Sequence, residues 1–338
     1  MPYEPQRWTP PPATPLQGVY APNDHLDAVE LFAVPGGGPE DPLLDDDGGL
    51  YTGLHDGRVV RIDLAGGPTT QLCNTTGRPL GLEWLPDGDL LVCDADRGLL
   101  RVPREGGSAE VLADRAPDGP IGLANNAAVA ADGTIWFSDS SRRNPLERFT
   151  EDILEHAGSG RLLRRDTDGT VEVVLDGLTF ANGVALTPDQ DAVLVAETGS
   201  YALHRVELTG PRAGESQVLQ ASLPGFPDNL STGPTGTIWL AIPAPRNPAA
   251  DALHPRHPAL RKLVARLPDA LTPQPKRMAF VLGLTADGTV THNLQSAGAR
   301  YHFVTGVREH DGWLYLGSES HDVHSVARVR IPDQAPGA

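Results

Sequence analysis

Six times along the chain an Asp-Gly-like turn runs into a short apolar strand, then a small or polar residue, then a second strand. The repeat reads DGGLYTGLHDGRVVRI from Asp47, DGDLLVCDADRGLLRV from Asp87, and DGTIWFSDSS from Asp132, resuming as GRLLRR from Gly160. It returns as DQDAVLVAETGSYALHRVEL from Asp189, TGTIWLAIP from Thr235 resuming at MAFVLGL, and DGWLYLGSESHDVHSVARVRI from Asp311. Units of this kind cannot bury their apolar faces alone, so they stack around an axis as the blades of a closed, all-β, six-bladed β-propeller. The loops leading into the innermost strands then gather at that axis, where residues far apart in sequence meet.

A chain of 338 residues has room for two ordinary domains, but repeats running nearly end to end argue for one. The expected organisation is an extended N-terminal arm over residues 1–30, a single propeller over 31–333 and a short tail over 334–338. The arm, MPYEPQRWTPPPATPLQGVY, is Pro-rich and is expected to lie extended across the outside of the barrel or to be disordered. The 37 Gly and 32 Pro of the chain suit many short strands joined by tight turns.

The formal charge of −17, from 44 acidic against 27 basic side chains, repels a phosphate backbone, and no Lys/Arg stripe offers a nucleic-acid surface. The N-terminus lacks a basic start followed by an apolar core, and no apolar run has membrane length. A cytoplasmic chain without nucleic-acid or membrane partners is therefore expected, and a monomer, because closed propellers leave only short strand edges. Cys73 and Cys93 are too few for a disulfide framework or a thiolate zinc site; they read as two buried thiols or as one bridge.

Two insertions interrupt the repeats. SSRRNPLERFTEDILEHAGSG carries Phe149, Ile153 and Leu154 at the spacing of a short amphipathic helix ended by Gly158. In PAPRNPAADALHPRHPALRKLVARLPDALTPQPKR, Leu260, Leu263, Val264 and Leu267 recur at helical spacing between prolines. Both insertions are placed as short helices over the pocket or as caps on blade edges.

Polar residues stand just before the inner strands of several repeats: Glu40 in GGGPED, Asn125 and Asn126 in LANNAAVAADG, Asn182 in FANGVALTPD, and Asp228 and Asn229 in PGFPDNLSTGP. Taken one at a time, Asn and Asp beside Gly or Pro are ordinary turn formers. Taken together, carboxylate and amide oxygens from separate loops, without Cys or His, are the hard donors that Ca²⁺ or another hard divalent cation takes.

At these residues the chain resembles the strictosidine synthase-like branch of the superfamily that also holds gluconolactonase, paraoxonase and diisopropylfluorophosphatase. The resemblance rests on GPED, CNTTGRPLGL, WFSDSS, FANGVALTPD, LVAETGSYALHRVEL, LPGFPDN and VREHDGWLYLGS in the family's order, over roughly residues 30 to 332. It implies a six-bladed propeller and places a metal set on Glu40, Asn125, Asn182 and Asp228, with Asn229 as a further ligand or as a support behind the ligands. The plant synthases, by the same resemblance, use a catalytic Glu in the segment that reads YHFVTGVREHDG here, and this chain has Val304 at that place. Glu309, read as a turn residue before the next strand, does not replace it, so Pictet–Spengler condensation is not expected.

The resemblance implies a Ca²⁺-dependent hydrolase of small lactones or esters, in which the cation polarises the carbonyl. Asp228 is the candidate general base or nucleophile and His321, in ESHD, a second candidate catalytic residue; His302 has a similar claim. Arg78 and Leu80 stand where a paraoxonase-like His would be sought. No Gly-x-Ser-x-Gly, Walker or His-Glu-x-x-His pattern offers another chemistry, and Ser138, Asp139, Ser140 and Ser141 read as blade structure and pocket wall. The competing class is a non-catalytic binding propeller held together by a structural Ca²⁺.

Overall fold

Each anticipated turn delivers the chain into the second strand of a blade. These strands are Gly49–Gly53, Leu90–Asp94, Ile135–Asp139, Ala192–Glu197, Ile238–Ala241 and Trp313–Ser318. Gly88 and Gly133 both take φ of 90° in these turns, a left-handed conformation that favours glycine, whereas blade 4 uses Gln190 at φ 53°. The computed structural model describes residues 3–264, 276–298 and 300–332.

The strands form six four-stranded antiparallel sheets, five of them in plain chain order. The sixth takes its outermost strand from the other end of the chain: Glu30–Ala33 pairs with Ser325–Arg330, with Phe32 opposite Val326. This closure removes the seam that would otherwise leave two open edges. Apolar side chains fill six layers between neighbouring blades. Trp239 and Val281 meet Leu314 between blades 5 and 6, Leu194 meets Phe280 between 4 and 5, and Trp136 meets Val193 between 3 and 4. Each such side chain contributes roughly 1.5–3 kcal/mol on burial, so stability is distributed around the ring.

Cys73 lies in the layer between blades 1 and 2 and Cys93 in the layer between blades 2 and 3. Both are free and buried, on opposite faces of blade 2, and burial pushes the Cys73 thiol up to about 11. Neither should react with a thiol reagent at neutral pH until the protein is unfolded in denaturant, whereupon both should; rapid labelling of the native protein would contradict the layer assignment.

The insertions leave blades 3 and 5 between their second and third strands and, among the described residues, form three short α-helices. Helix α1 spans Phe149–Glu155 and ends at His156, which is left-handed at φ 53°, short of the anticipated Gly158. Helix α2 spans Pro248–Leu253, with Asn247 accepting from the Ala249 and Ala250 N–H groups as N-cap. Helix α3 spans Pro258–Val264 and inverts the expected face: Leu260 and Leu263 are 47% and 62% exposed while Arg261 is fully buried. The Arg261 guanidinium donates to the carbonyls of Leu154 and Gln6, so backbone acceptors rather than leucines orient this helix. Leu267 lies outside the described residues.

The arm crosses both insertions. Gln6 N–H donates to Glu155 O at 2.8 Å, and the Trp8 ring stacks on His156 at 4.1 Å and meets His254 edge-on at 5.1 Å. Arg246 holds Pro11 O at 2.8 Å. The chain then follows the outer strand of blade 5, with Leu26 N–H donating to Gln295 O at 3.0 Å, and enters the closing strand.

Candidate metal and active site at the propeller axis

The inner strands of blades 2, 3, 4 and 6 each carry a register break at their first residues, between Pro79 and Leu82, Ala124 and Ala127, Ala181 and Val184, and Val304 and Val307. Such bulges re-aim side chains at the rim of a closed sheet, and Asn125 and Asn182 sit within them. Beside them, glycines let neighbouring backbones touch. A Cβ on Gly81 would lie 2.7 Å from Asn125 O, on Gly183 2.4 Å from Asp228 O, and on Gly306 2.5 Å from Glu40 O. The three contacts are alike, and they place Asn125, Asp228 and Glu40 at equivalent points of blades 3, 5 and 1, at one end of the axis.

A Cβ at Gly183 would also come within 2.2 Å of Leu230 N, where only backbone could yield. Gly183→Ala is expected to cost about 1–3 kcal/mol in urea unfolding and to weaken cation binding, because it displaces the Asp228 segment. Unchanged stability and binding would remove this packing role.

Hydroxyl groups just past the ends of the second strands fix the amides. Asn125 Nδ2 donates to Ser140 Oγ at 3.0 Å, and Ser140 Oγ donates to Ala181 O at 2.6 Å. Asn182 Nδ2 donates to Thr198 Oγ1 at 3.2 Å, and Thr198 Oγ1 donates to Pro227 O at 2.7 Å. A hydroxyl has one proton; with that proton committed to a carbonyl it must accept from the amide, so each Asn turns its NH₂ to the hydroxyl and its oxygen away. In blade 5, Asn229 Nδ2 donates to Glu40 Oε1 at 2.6 Å. Ser140, read from sequence as pocket wall, and Thr198 are therefore supports for the site.

Within this axial set, four oxygens are buried without a partner: Glu40 Oε2, Asn125 Oδ1, Asn182 Oδ1 and Asn229 Oδ1. Leaving such a group unpaired costs about 1–3 kcal/mol each, and a hard cation would satisfy all four. Among the described residues no three His, Cys, Asp or Glu side chains form a metal cluster, so the set depends on its amide oxygens.

Electrostatics point the same way. Burial, then the facing Asp41, Asp228 and Glu319 carboxylates, hold Glu40 well above the usual carboxylate range, with Arg78 opposing. Burial and Glu319 raise Asp228 strongly, although the Asn182 amide and the Asn229 N–H favour its charged form. Like charges gathered out of water keep their protons or take up a cation. Arg78 donates to Pro79 O and Gly38 O at 3.0 and 3.1 Å, and its Nη2 lies 3.9 Å from Glu319 Oε1.

His321 stands exposed at the rim, its ring 4.0 Å from that of His55. His55 is pushed down to about 4 by burial and by the nearby Arg78 and His321. His302 is held between Asp322 and Arg277. Leu80, Ala95, Leu123 and Phe180, covered by Leu146, Phe149 and Ile153 of the first insertion, form an apolar wall. Phe226 instead packs on Tyr201 at 5.0 Å. Glu309 is a strand residue, not a turn residue. It lies near the far end of Val304–His310, where it accepts from Trp239 Nε1 at 2.7 Å, so its role is structural.

Residues 39–249 match the SMP-30/Gluconolactonase/LRE-like region. The chain is 34% identical to the adipocyte plasma membrane-associated protein of Rattus norvegicus, over 89% of this chain and 86% of that protein. It is 33% identical to strictosidine synthase-like protein 10 of Arabidopsis thaliana, over 89% and 90%. In structure it is similar to a gluconolactonase of Xanthomonas campestris, with TM-score 0.65 and 18% identity over 98% of both chains. It is also similar to a calcium-binding regucalcin of Agrobacterium tumefaciens, with TM-score 0.62 and 16% identity over 91% and 93%. The six sheets define a six-bladed propeller, the fold these solved structures share. The chain belongs to the SMP-30/gluconolactonase/LRE-like family. Among the described residues no helix is long and apolar enough to cross a membrane.

Proposed function

We propose that the protein hydrolyses lactone or ester bonds of a small-molecule substrate, using Ca²⁺ or another hard divalent cation at one end of the propeller axis. The observation that carries this reading is the set of four buried, unpartnered oxygens from Glu40, Asn125, Asn182 and Asn229. These residues with Asp228 would hold the cation. When bound, it supplies the positive charge that polarises the carbonyl oxygen and stabilises the oxyanion.

The chain's own groups supply the rest. Asp228, whose charged form the Asn182 amide and the Asn229 N–H favour, orients the attacking water and accepts its proton. The wall of Leu80, Leu123, Phe180, Phe149 and Ile153 takes the apolar part of the substrate and excludes water beside the reacting carbon. Val304, fully buried, offers no carboxylate where the synthases carry theirs, which disfavours condensation chemistry.

The test is hydrolysis of γ- and δ-lactones and aryl esters by the wild type and Asp228→Asn. The variant should lose turnover and bind calcium more weakly while largely keeping its fold, read as the melting temperature of the chelator-stripped protein. A variant that instead loses mainly thermal stability, alongside an inactive wild type, would favour a structural calcium site in a binding propeller.

A further inference from the structure

The geometry points to Glu319 as the proton donor to the leaving oxygen in this site, a role that rests on the hydrolase reading above. Glu319 follows the second strand of blade 6, whose end is fastened to the segment carrying Glu40. Ser318 N–H donates to Pro39 O at 2.6 Å, Ser318 Oγ donates to His302 O at 2.9 Å, and a Cβ on Gly317 would lie 2.0 Å from Glu40 O. The next side chain therefore projects beside the axial oxygens. It faces Glu40 and Asp228 across the site, and Arg78, His321 and Glu147 on its own side.

What separates Glu319 from Glu40 is its freedom. Glu40 is 3% exposed and bound by Asn229. The Glu319 side chain keeps 25% of its surface open within the pocket, with Arg78 at 3.9 Å as its ion-pair neighbour. Burial raises its carboxyl above the usual range, which suits a group that carries a proton to the reaction.

The division of labour between two carboxyls balances. Water oxygen bonds to the carbonyl carbon as its proton passes to Asp228. The bond from that carbon to the leaving oxygen then breaks as the Glu319 proton moves onto that oxygen. The products are the acid and the alcohol, joined in one molecule when the substrate is a lactone. Asp228 loses its proton, and Glu319 regains one, by exchange with solvent.

Glu319→Gln separates this role from others when the leaving group is varied at saturating Ca²⁺. A nitrophenyl ester departs without protonation, whereas an alkyl ester of the same acid does not. The variant should lose about 10²-fold more kcat/KM on the alkyl ester than on the nitrophenyl ester, with the calcium isotherm and melting temperature unchanged. Equal losses on both esters, no loss on either, or weakened calcium binding would overturn the assignment while leaving the hydrolase reading intact. A wild type inactive on every ester and lactone would overturn both.

Discussion

Glu40→Gln is expected to weaken calcium binding in titration calorimetry and to lower lactone turnover by roughly two orders of magnitude. The carboxylate is buried, one of its oxygens accepts from Asn229 at 2.6 Å and the other has no partner. The amide can replace the acceptor for Asn229, so the fold should survive. It cannot replace the negative charge facing a cation. Removing that charge forfeits part of the several kcal/mol that metal sites supply, and about 1.4 kcal/mol corresponds to a tenfold change. If affinity and turnover both persist in Glu40→Gln, the ligand set is wrong at its first member.

A second large effect is expected away from the axis, in stability. Arg161 and Asp139 are both fully buried, and the guanidinium meets the carboxylate at 2.9 Å. Asp139 also accepts from the Leu123 and Gly122 N–H groups at 2.8 and 3.1 Å, so it anchors the loop that delivers Asn125. Arg161→Ala leaves this carboxylate out of water without its cation, which typically costs about 3–5 kcal/mol. Urea unfolding should show a loss of that size. The double variant Arg161→Met with Asp139→Leu should recover part of it, because removing both charges removes the desolvation penalty. A single variant as stable as wild type would mean that the loop, not the ion pair, holds blade 3.

Much of the fold was legible because local signals coincide with it: a turn residue with positive φ stands before the second strand of the blades, as at Gly88, Gly133 and Gln190. The closing strand was less legible. Glu30–Ala33 lies at the edge of blade 6 without a turn signal of its own, so its partner depends on closure of the whole ring. The ligand candidates were visible because each lies at the entry to its inner strand: Glu40, Asp228 and Asn229 just before it, Asn125 and Asn182 at its second residue. Glu319 and Thr198 were not singled out, since what matters for them is the register between strands of different blades. Helix α3 shows the limit of periodicity: leucine spacing identified a helix, but the carbonyls of Leu154 and Gln6, supplied by distant segments, decided which face is buried. The arm was expected on the barrel's outside, and its contact with His156 and His254 has no local signature at all.

The most direct measurement places binding and turnover on one axis. Chelator-stripped protein is titrated with Ca²⁺ while heat of binding and initial rate on a reactive lactone are followed in parallel. The axial-cation hydrolase predicts one ion per chain and an activation curve that overlays the binding isotherm. Full turnover in the stripped protein, or saturation of binding with no turnover on any lactone or ester, would contradict it.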